Sequence, residues 1–196
     1  MDNCVVIGRQ AVGGGTAAGD NNVTIGYQSA YSLTSAHSTT IVGYQAAYEL
    51  SSGLENTLIG YYAGRGVTTG DYNTAIGHSA LYDGTNTNRS TALGYQSLYA
   101  LNQSGDTYNT AAGMYSMRNI ETGSANVAMG YNAMWGNTGV DCDHNVSIGA
   151  DSMYAINGGD RNVALGYAAG YPVTTGTGNV YIGYKAGFDS TATDSD

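Results

Sequence analysis

The chain has 196 residues, a formal net charge of −9 and only six lysines and arginines. Such a surface repels phosphate backbones and has no basic stripe, so we expect no nucleic-acid binding. No apolar run approaches the length of a membrane span, so we expect no membrane insertion. Glycine occurs 30 times and charged residues make up 11%, whereas hydrophobic residues make up 42%. This combination excludes a disordered tail and favours a fold with regularly spaced tight turns.

A repeat marked by an apolar residue followed by glycine runs along the whole chain. The repeat glycines are Gly8, Gly26, Gly43, Gly60, Gly77, Gly94, Gly113, Gly130, Gly149, Gly166 and Gly183. Seven of the ten intervals are 17 residues long, and the others are 18 or 19. A unit this short cannot bury its own apolar face, so its copies must stack on one another. The sequence therefore predicts an all-β fold, a parallel β-solenoid of eleven coils.

The residues just before the repeat glycine read as a short strand. Val or Thr stands three residues before it in every copy, and Ile, Val, Leu or Met stands one before it in all copies except that of Ala112. Since side chains alternate along a strand, these two positions share a face, which we predict to be the core. The glycine itself is expected to end the strand, by a positive φ or by close approach of another backbone.

Four residues before the repeat glycine, eight of the copies carry asparagine. These residues are Asn22, Asn56, Asn73, Asn109, Asn126, Asn145, Asn162 and Asn179. Stacked amides can pass hydrogen bonds along the axis of a solenoid. We therefore predict a structural asparagine ladder.

The residue between the two predicted core positions is never charged and is often alanine. Its occupants are Val6, Thr24, Ile41, Leu58, Ala75, Ala92, Ala111, Ala128, Ser147, Ala164 and Tyr181. A lone monomer would place polar or charged residues on its outer face. We therefore predict that this column is a buried surface between chains, where alanine allows close approach.

Aromatic residues concentrate one and five residues after the repeat glycine. These two positions hold thirteen of the eighteen tyrosines, together with Trp135 and Phe188. Stacked rings that cover the coil edges or fill an interface between chains are one interpretation. Direct contact with a glycan or a protein partner is the other, because tyrosine offers an apolar face and a hydroxyl. The candidates for such contact are Tyr27, Tyr31, Tyr44, Tyr48, Tyr82, Tyr95, Tyr99, Trp135, Tyr154 and Tyr171.

Residues for catalysis or metal binding are sparse. The three histidines, His37, His78 and His144, fall in three different coils, and no nucleophile motif is present. We therefore expect no enzyme and no cofactor. Asp141, Asp143 and His144 are the best metal candidates, although neighbouring residues in a loop rarely converge on one ion. Loop aspartates are typical of turns, and a calcium-binding edge is the alternative.

The remaining expectations concern the cysteines and the chain ends. Cys4 and Cys142 are eight coils apart, roughly 38 Å at the spacing of paired strands, so no intrachain disulfide can form. Residues 1–188 are predicted to form one solenoid domain. Residues 189–196 are predicted to be an acidic tail or the start of another segment.

The segments NNVTIGYQSA, YNTAIGHSAL, ANVAMGYNAM and RNVALGYAAG resemble two related repeat families. One is the left-handed β-roll of trimeric autotransporter adhesin heads, and the other is the tyrosine-rich repeat of bacteriophage tail fibres. The resemblance implies left-handed β-rolls that are intertwined or packed as a trimer and extend from a cell or virion surface. The period of 17 residues departs from the shorter spacing of the adhesin heads.

From the repeat and the resemblance we expect a structural or adhesive segment of a homotrimeric fibre, extracellular or on a virion, that provides rigidity and receptor attachment. Its partners would be further copies of itself and a cell-surface glycan or protein receptor. An alternative is a subunit of a self-assembling extracellular filament. An ice-binding solenoid ranks lower, because the threonines that suggest it are predicted to face the core and share their column with valine.

Overall fold

A computed structural model describes residues 2–14 and 19–189, and all its regular elements are short strands. They are β1 (Val5–Ile7), β2 (Val23–Ile25), β3 (Thr40–Val42), β4 (Thr57–Ile59), β5 (Thr74–Ile76), β6 (Thr87–Asn88), β7 (Thr91–Leu93), β8 (Gly105–Asp106), β9 (Thr110–Ala112), β10 (Ile120–Thr122), β11 (Val127–Met129), β12 (Val140–Asp141), β13 (Val146–Ile148), β14 (Val163–Leu165) and β15 (Val180–Ile182). Apart from Asp189, the predicted acidic tail lies outside the described residues.

Eleven of these strands form a single parallel sheet in the order β1-β2-β3-β4-β5-β7-β9-β11-β13-β14-β15. Equivalent residues of successive copies pair directly, as Thr57 does with Thr74 and Ile59 with Ile76. The other four strands form two short pairs, β6 with β8 and β10 with β12. The prediction of a parallel β-solenoid with one coil per repeat glycine is confirmed.

The strands face the opposite way from the prediction. In the large sheet, the middle residue of every strand from β2 to β14 is buried, and Ile41 and Leu58, for example, are completely inaccessible. The two flanking residues are half-buried or exposed, with exposed fractions of 40% for Ile76 and 38% for Leu93. We call the middle position the inner column and the flanking positions the outer columns. The predicted surface between chains is therefore core of the chain itself, and the predicted core faces outward.

The inner column shares its space with the residue four after the repeat glycine in the same coil. Where the inner residue is large, this partner is small, as in the pairs Ile41 with Ala47 and Leu58 with Gly64. A Cβ added to Gly64 would indeed meet the Leu58 side chain. In the four coils from Ala75 to Ala128 the inner residue is alanine and the partner is large. The pairs are Ala75 with Leu81, Ala92 with Leu98, Ala111 with Met117, and Ala128 with Met134. This exchange of volume keeps the core filled in each of these coils.

The repeat glycines meet both requirements that the sequence suggested. Their φ angles lie between 123° at Gly183 and 142° at Gly26, a region that side chains disfavour. In the coils from Gly8 to Gly166, a Cβ would also collide with the backbone of the repeat glycine in the following coil. The column therefore needs glycine for its conformation and for its lack of a side chain.

The turn after the repeat glycine has an unusual backbone that involves residues other than glycine. Its second and fourth residues have positive φ in every coil, for example 48° at Gln45 and 50° at Ala47. Each is fixed by a neighbouring coil: the Gln45 amide donates to the Tyr27 carbonyl at 2.9 Å, and the Ala47 amide donates to the Ala63 carbonyl at 2.9 Å. Stacking on both sides thus compensates for the local strain.

Replacing Gly60 by alanine should destabilise the fold by more than backbone strain alone. Gly60 has a φ of 139°, and a Cβ there would collide with the Gly77 carbonyl. We expect a loss of at least about 2 kcal/mol in the free energy of unfolding, measured by urea denaturation. The control is Gly139→Ala, at a φ of 75° with nothing within 4 Å, which should cost about 1 kcal/mol. Equal losses in the two variants would contradict the close approach of successive coils.

Candidate functional site: the outer face and the aromatic columns

The outer face of the large sheet is a continuous uncharged surface. Its two columns consist of valine and threonine on one side and mainly of isoleucine, leucine and methionine on the other. These side chains remain accessible, with Ile7 57%, Met129 44% and Ile148 38% exposed. Threonine occupies the first of these columns in five successive coils: Thr40, Thr57, Thr74, Thr91 and Thr110. The prediction that these threonines face the core is therefore wrong, since they face outward; valine occupies the same column in the remaining coils.

The asparagine column is a buried hydrogen-bonded ladder. At Asn126, Nδ2 donates to the Asn109 Oδ1 at 3.1 Å and to the Cys142 carbonyl at 2.6 Å. Its Oδ1 accepts from the Asn145 amide at 2.9 Å. All eight predicted asparagines are buried. At Asn22 and at Asn56, Oδ1 accepts from the amide four residues before the next repeat glycine, and Nδ2 donates to a carbonyl of the next coil.

A second ladder explains most of the loop aspartates. Six residues before the repeat glycine, the side chain accepts a hydrogen bond from the amide of the preceding coil. The Leu54 amide donates to Asp71 at 2.7 Å, the Ser124 amide to Asp143 at 2.6 Å and the Asp143 amide to Asp160 at 2.9 Å. The same kind of bond, from the Asp2 amide, holds the pKa of Asp20 below its usual value. These carboxylates have a structural partner, which sequence reasoning missed.

The predicted metal candidates are not brought together. Asp143 is engaged in the ladder, whereas Asp141 and His144 are exposed side chains of the same loop. Within residues 2–14 and 19–189, no group of three His, Cys, Asp or Glu side chains could hold a metal ion. The part of the chain that the structure describes therefore contains no cluster of ligands for a calcium-binding edge.

The histidines and cysteines are also dispersed. His37 accepts from the Asp20 amide at 3.0 Å through Nδ1, and His78 stacks on Tyr61. Both cysteines are free, so the prediction that they form no disulfide with each other is confirmed. Burial raises the pKa of the Cys142 thiol to about 12, with nearby aspartates adding to the shift. This thiol stays protonated at neutral pH and is poorly suited to nucleophilic chemistry.

The first aromatic column, one residue after the repeat glycine, contains an unbroken stack of five rings. The centroid distances are 5.3 Å for Tyr27 and Tyr44, 4.9 Å for Tyr44 and Tyr61, 4.8 Å for Tyr61 and His78, and 5.1 Å for His78 and Tyr95. Interplanar angles stay at or below 28°. The rings therefore lie face to face along the axis.

The second aromatic column, five residues after the repeat glycine, continues through two arginines. Its members are Tyr31, Tyr48, Arg65, Tyr82, Tyr99, Arg118, Trp135, Tyr154, Tyr171 and Phe188. The Arg65 guanidinium carbon lies 5.1 Å from the Tyr48 ring and 5.8 Å from the Tyr82 ring. Arg118 lies 5.2 Å from both Tyr99 and Trp135. A planar guanidinium thus replaces a ring at two levels of the stack by cation–π contact.

The stacking changes what the predicted contact residues can do. Rings inside a stack have both faces covered, so Tyr44 and Tyr48 offer a partner only ring edges and hydroxyls. The ten candidate aromatics are therefore brought together as structural columns, and Tyr61, Tyr62 and the two arginines join them. The signal that could have revealed the arginines is their position, five residues after the repeat glycine.

No known family, curated protein or solved structure matches this chain. Among the described residues there is no helix of the length and apolar character needed to span a bilayer. The outer face and the aromatic columns are therefore the features from which a function can be inferred.

Replacing Asn126 by alanine should break the asparagine ladder. The variant leaves the buried Asn145 amide and Cys142 carbonyl without their side-chain partner. We expect roughly 2–5 kcal/mol of lost stability, because each buried unsatisfied group costs about 1–3 kcal/mol. Urea denaturation measures the change. Asn137→Ala, at an exposed position, is the control and should stay within about 0.5 kcal/mol of the original chain. Similar losses at both positions would exclude the ladder.

The planar surface of Arg118, and not its charge alone, should shield the ring of Trp135, the only tryptophan, from quenchers in solution. Acrylamide quenching of tryptophan fluorescence should rise in Arg118→Ala, with a loss of roughly 0.5–2 kcal/mol in stability. Arg118→Tyr restores a ring at this level and should keep quenching near that of the original chain. Arg118→Lys retains the charge without the plane and should protect less than tyrosine. Better protection by lysine than by tyrosine would refute this role.

Proposed function

We propose that the chain is a structural or adhesive segment of a homotrimeric fibre, extracellular or on a virion surface, that provides reach, rigidity and receptor attachment. The observation that carries this proposal is the uncharged, accessible outer face that runs along all eleven strands of the sheet. Charged side chains normally cover an exposed sheet face, whereas apolar and threonine side chains suit burial against another chain.

The size of the outer face supports self-association. Eleven strands at about 4.8 Å each give a length of roughly 50 Å, and three-residue strands are about 10 Å wide. The face therefore extends over roughly 500 Å² before the adjoining tyrosines are counted, in the range at which exposed patches mark interaction sites. The number of chains comes from the resemblance to trimeric adhesin heads and tail fibres, while the face itself supports association between copies.

Rigidity follows from the ladders. Strand pairing joins each coil to its neighbours, and many coils are also linked by the asparagine ladder, by the aspartate ladder or by the stacked side chains of the second aromatic column. These bonds run parallel to the axis, so bending the rod would strain several columns together. Such a rod suits a spacer that holds an attachment site away from a surface.

The test is the mass of the particle in solution. Light scattering should find a discrete trimer for the original chain. Ile76→Lys, in an outer column at 40% exposure, should yield a folded monomer, because a buried unpaired charge is costly at an interface. Asn137→Lys, at an exposed loop position, is the matched control and should remain trimeric. A monomer at all concentrations would refute the proposal, and rods of varied length would support the self-assembling filament instead.

A second candidate function is ice binding, which the outward threonines favour. Thr40, Thr57, Thr74, Thr91 and Thr110 stand at directly paired positions of successive strands. They form a regular row at about 4.8 Å spacing. Thermal hysteresis that is present in the original chain and lost in Thr74→Lys would support this function, and its absence from the original chain would reject it.

A further inference from the structure

The first aromatic column has one rung with almost no side chain. Ala150 occupies the position that Tyr131 holds one coil earlier and Tyr167 one coil later. The backbone confirms this register: the Asp151 amide donates to the Tyr131 carbonyl at 2.9 Å, and the Ala168 amide donates to the Ala150 carbonyl at 2.9 Å. In the described part of the chain, no other coil places so small a residue between two tyrosines of this column. A ring is therefore missing from the stack at Ala150.

The width of this gap suits one inserted ring. Tyr131 and Tyr167 are two coils apart, about 10 Å at the spacing of paired strands. A ring placed at about 5 Å from each tyrosine fills that distance, and 5 Å is a usual separation of stacked rings. The two tyrosines are 49% and 48% exposed, whereas Tyr44, Tyr61 and Tyr95 are 40–43% exposed. The additional accessible surface agrees with an open ring face on either side of Ala150.

Polar groups lie beside the gap. Asp151 follows Ala150 directly, and its Oδ1 accepts from the Asn132 Nδ2 at 3.0 Å. The Oδ1 of Asn132 is buried and has no hydrogen-bond partner. Asp151 is half-buried, so its side chain remains partly accessible next to Ala150, and a carboxylate can accept hydrogen bonds from the hydroxyls of a ligand. A purely aromatic occupant would leave this carboxylate unused.

The charge around the gap limits the ligand further. The charged side chain next to the gap is the carboxylate of Asp151, which follows Ala150 in the sequence. An anionic ligand would be repelled there. A neutral ring with two apolar faces and hydroxyls at its edge fits both the tyrosines and the carboxylate.

We propose that the slot formed by Tyr131, Ala150 and Tyr167 binds a neutral pyranose with equatorial hydroxyls, between the two tyrosine rings. A β-glucose configuration presents only axial C–H bonds on both ring faces, whereas galactose carries an axial hydroxyl on one face. Two aromatic walls therefore select the glucose configuration over the galactose one. This inference deepens the receptor attachment proposed above and rests on it, because it names the sugar class that the fibre would recognise.

The test uses methyl β-D-glucopyranoside with the full chain and saturation-transfer NMR. A sugar between two rings receives saturation on H1, H3 and H5 of one face and on H2 and H4 of the other. Affinity for such a small ligand should be in the millimolar range. Methyl β-D-galactopyranoside should bind roughly tenfold more weakly, and glucuronic acid should give no signal. Saturation of one face only, or equal binding of all three sugars, would overturn the two-walled slot.

Three variants locate the site. Tyr167→Ala removes one wall and should weaken binding roughly tenfold, the value of one stacking contact. Ala150→Tyr inserts the missing ring and should abolish binding while the fold is retained. Tyr27→Ala, between Arg9 and Tyr44 in the same column, removes a ring without leaving a gap between two tyrosines; it is the matched control and should bind as the original chain does. Binding that survives in Ala150→Tyr would overturn the assignment.

The failure of this inference can be distinguished from failure of the proposed fibre. Light scattering on the same samples reports the number of chains independently of the sugar. A trimer without a sugar signal would overturn the slot alone, and a monomer with a two-faced signal would overturn trimer formation alone. A slot filled by a second copy would give no sugar signal in the original chain but a signal in monomeric Ile76→Lys, and this result would also overturn the proposal.

Discussion

The structure depends on one constraint, the hydrogen-bonded register that places each residue directly on its equivalent in the next coil. Strand pairs such as Thr57 with Thr74 set this register, and the turn amides preserve it. At about 4.8 Å between coils, the glycine, asparagine and tyrosine columns consist mainly of side chains that stack well on their own kind. Glycine allows the backbones to approach because it has no side chain. Asparagine donates and accepts hydrogen bonds along the axis, and tyrosine stacks through the flat faces of its ring. The composition of the chain follows from this requirement.

The second aromatic column shows which property of tyrosine the stack uses. Arg65 and Arg118 replace a ring there and keep contact with the rings on either side. Guanidinium shares with tyrosine a planar surface but has neither the ring nor the hydroxyl. Planarity is therefore the property that the column requires, and the tyrosine hydroxyls remain available at its edge. Covered ring faces also mean that a partner meets different chemistry at a stack than at a break in it.

Sequence reasoning was successful where the repeat itself carries the information. The solenoid, the role of glycine and the separation of Cys4 from Cys142 follow from spacing and from residue type. The identity of the buried strand face did not follow from the sequence, because apolar residues occupy both faces and alternation cannot distinguish inside from outside. The opposing sizes in pairs such as Leu58 with Gly64 and Ala92 with Leu98 held the missing signal, since only side chains that share one space compensate each other's volume. The positive φ angles of the turn had no comparable signal, because residues such as Gln45 adopt them only when neighbouring coils hold the backbone.

The exchange of the inner and outer strand faces relative to the prediction also changes which surface is considered for function. With the small inner residues inside, the uncharged outer columns become the surface available to a second chain, and it extends over all eleven strands. A uniform array of this kind favours association and offers no single site, because neighbouring coils are nearly equivalent. Recognition of a ligand at one place then requires a coil whose residue differs in stacking from the rest of its column. Replacement of tyrosine by arginine preserves the stack, whereas Ala150 opens it and exposes a ring face on each side. In a repeat protein of this design, the rung that fails to stack is the place where a ligand can stack instead.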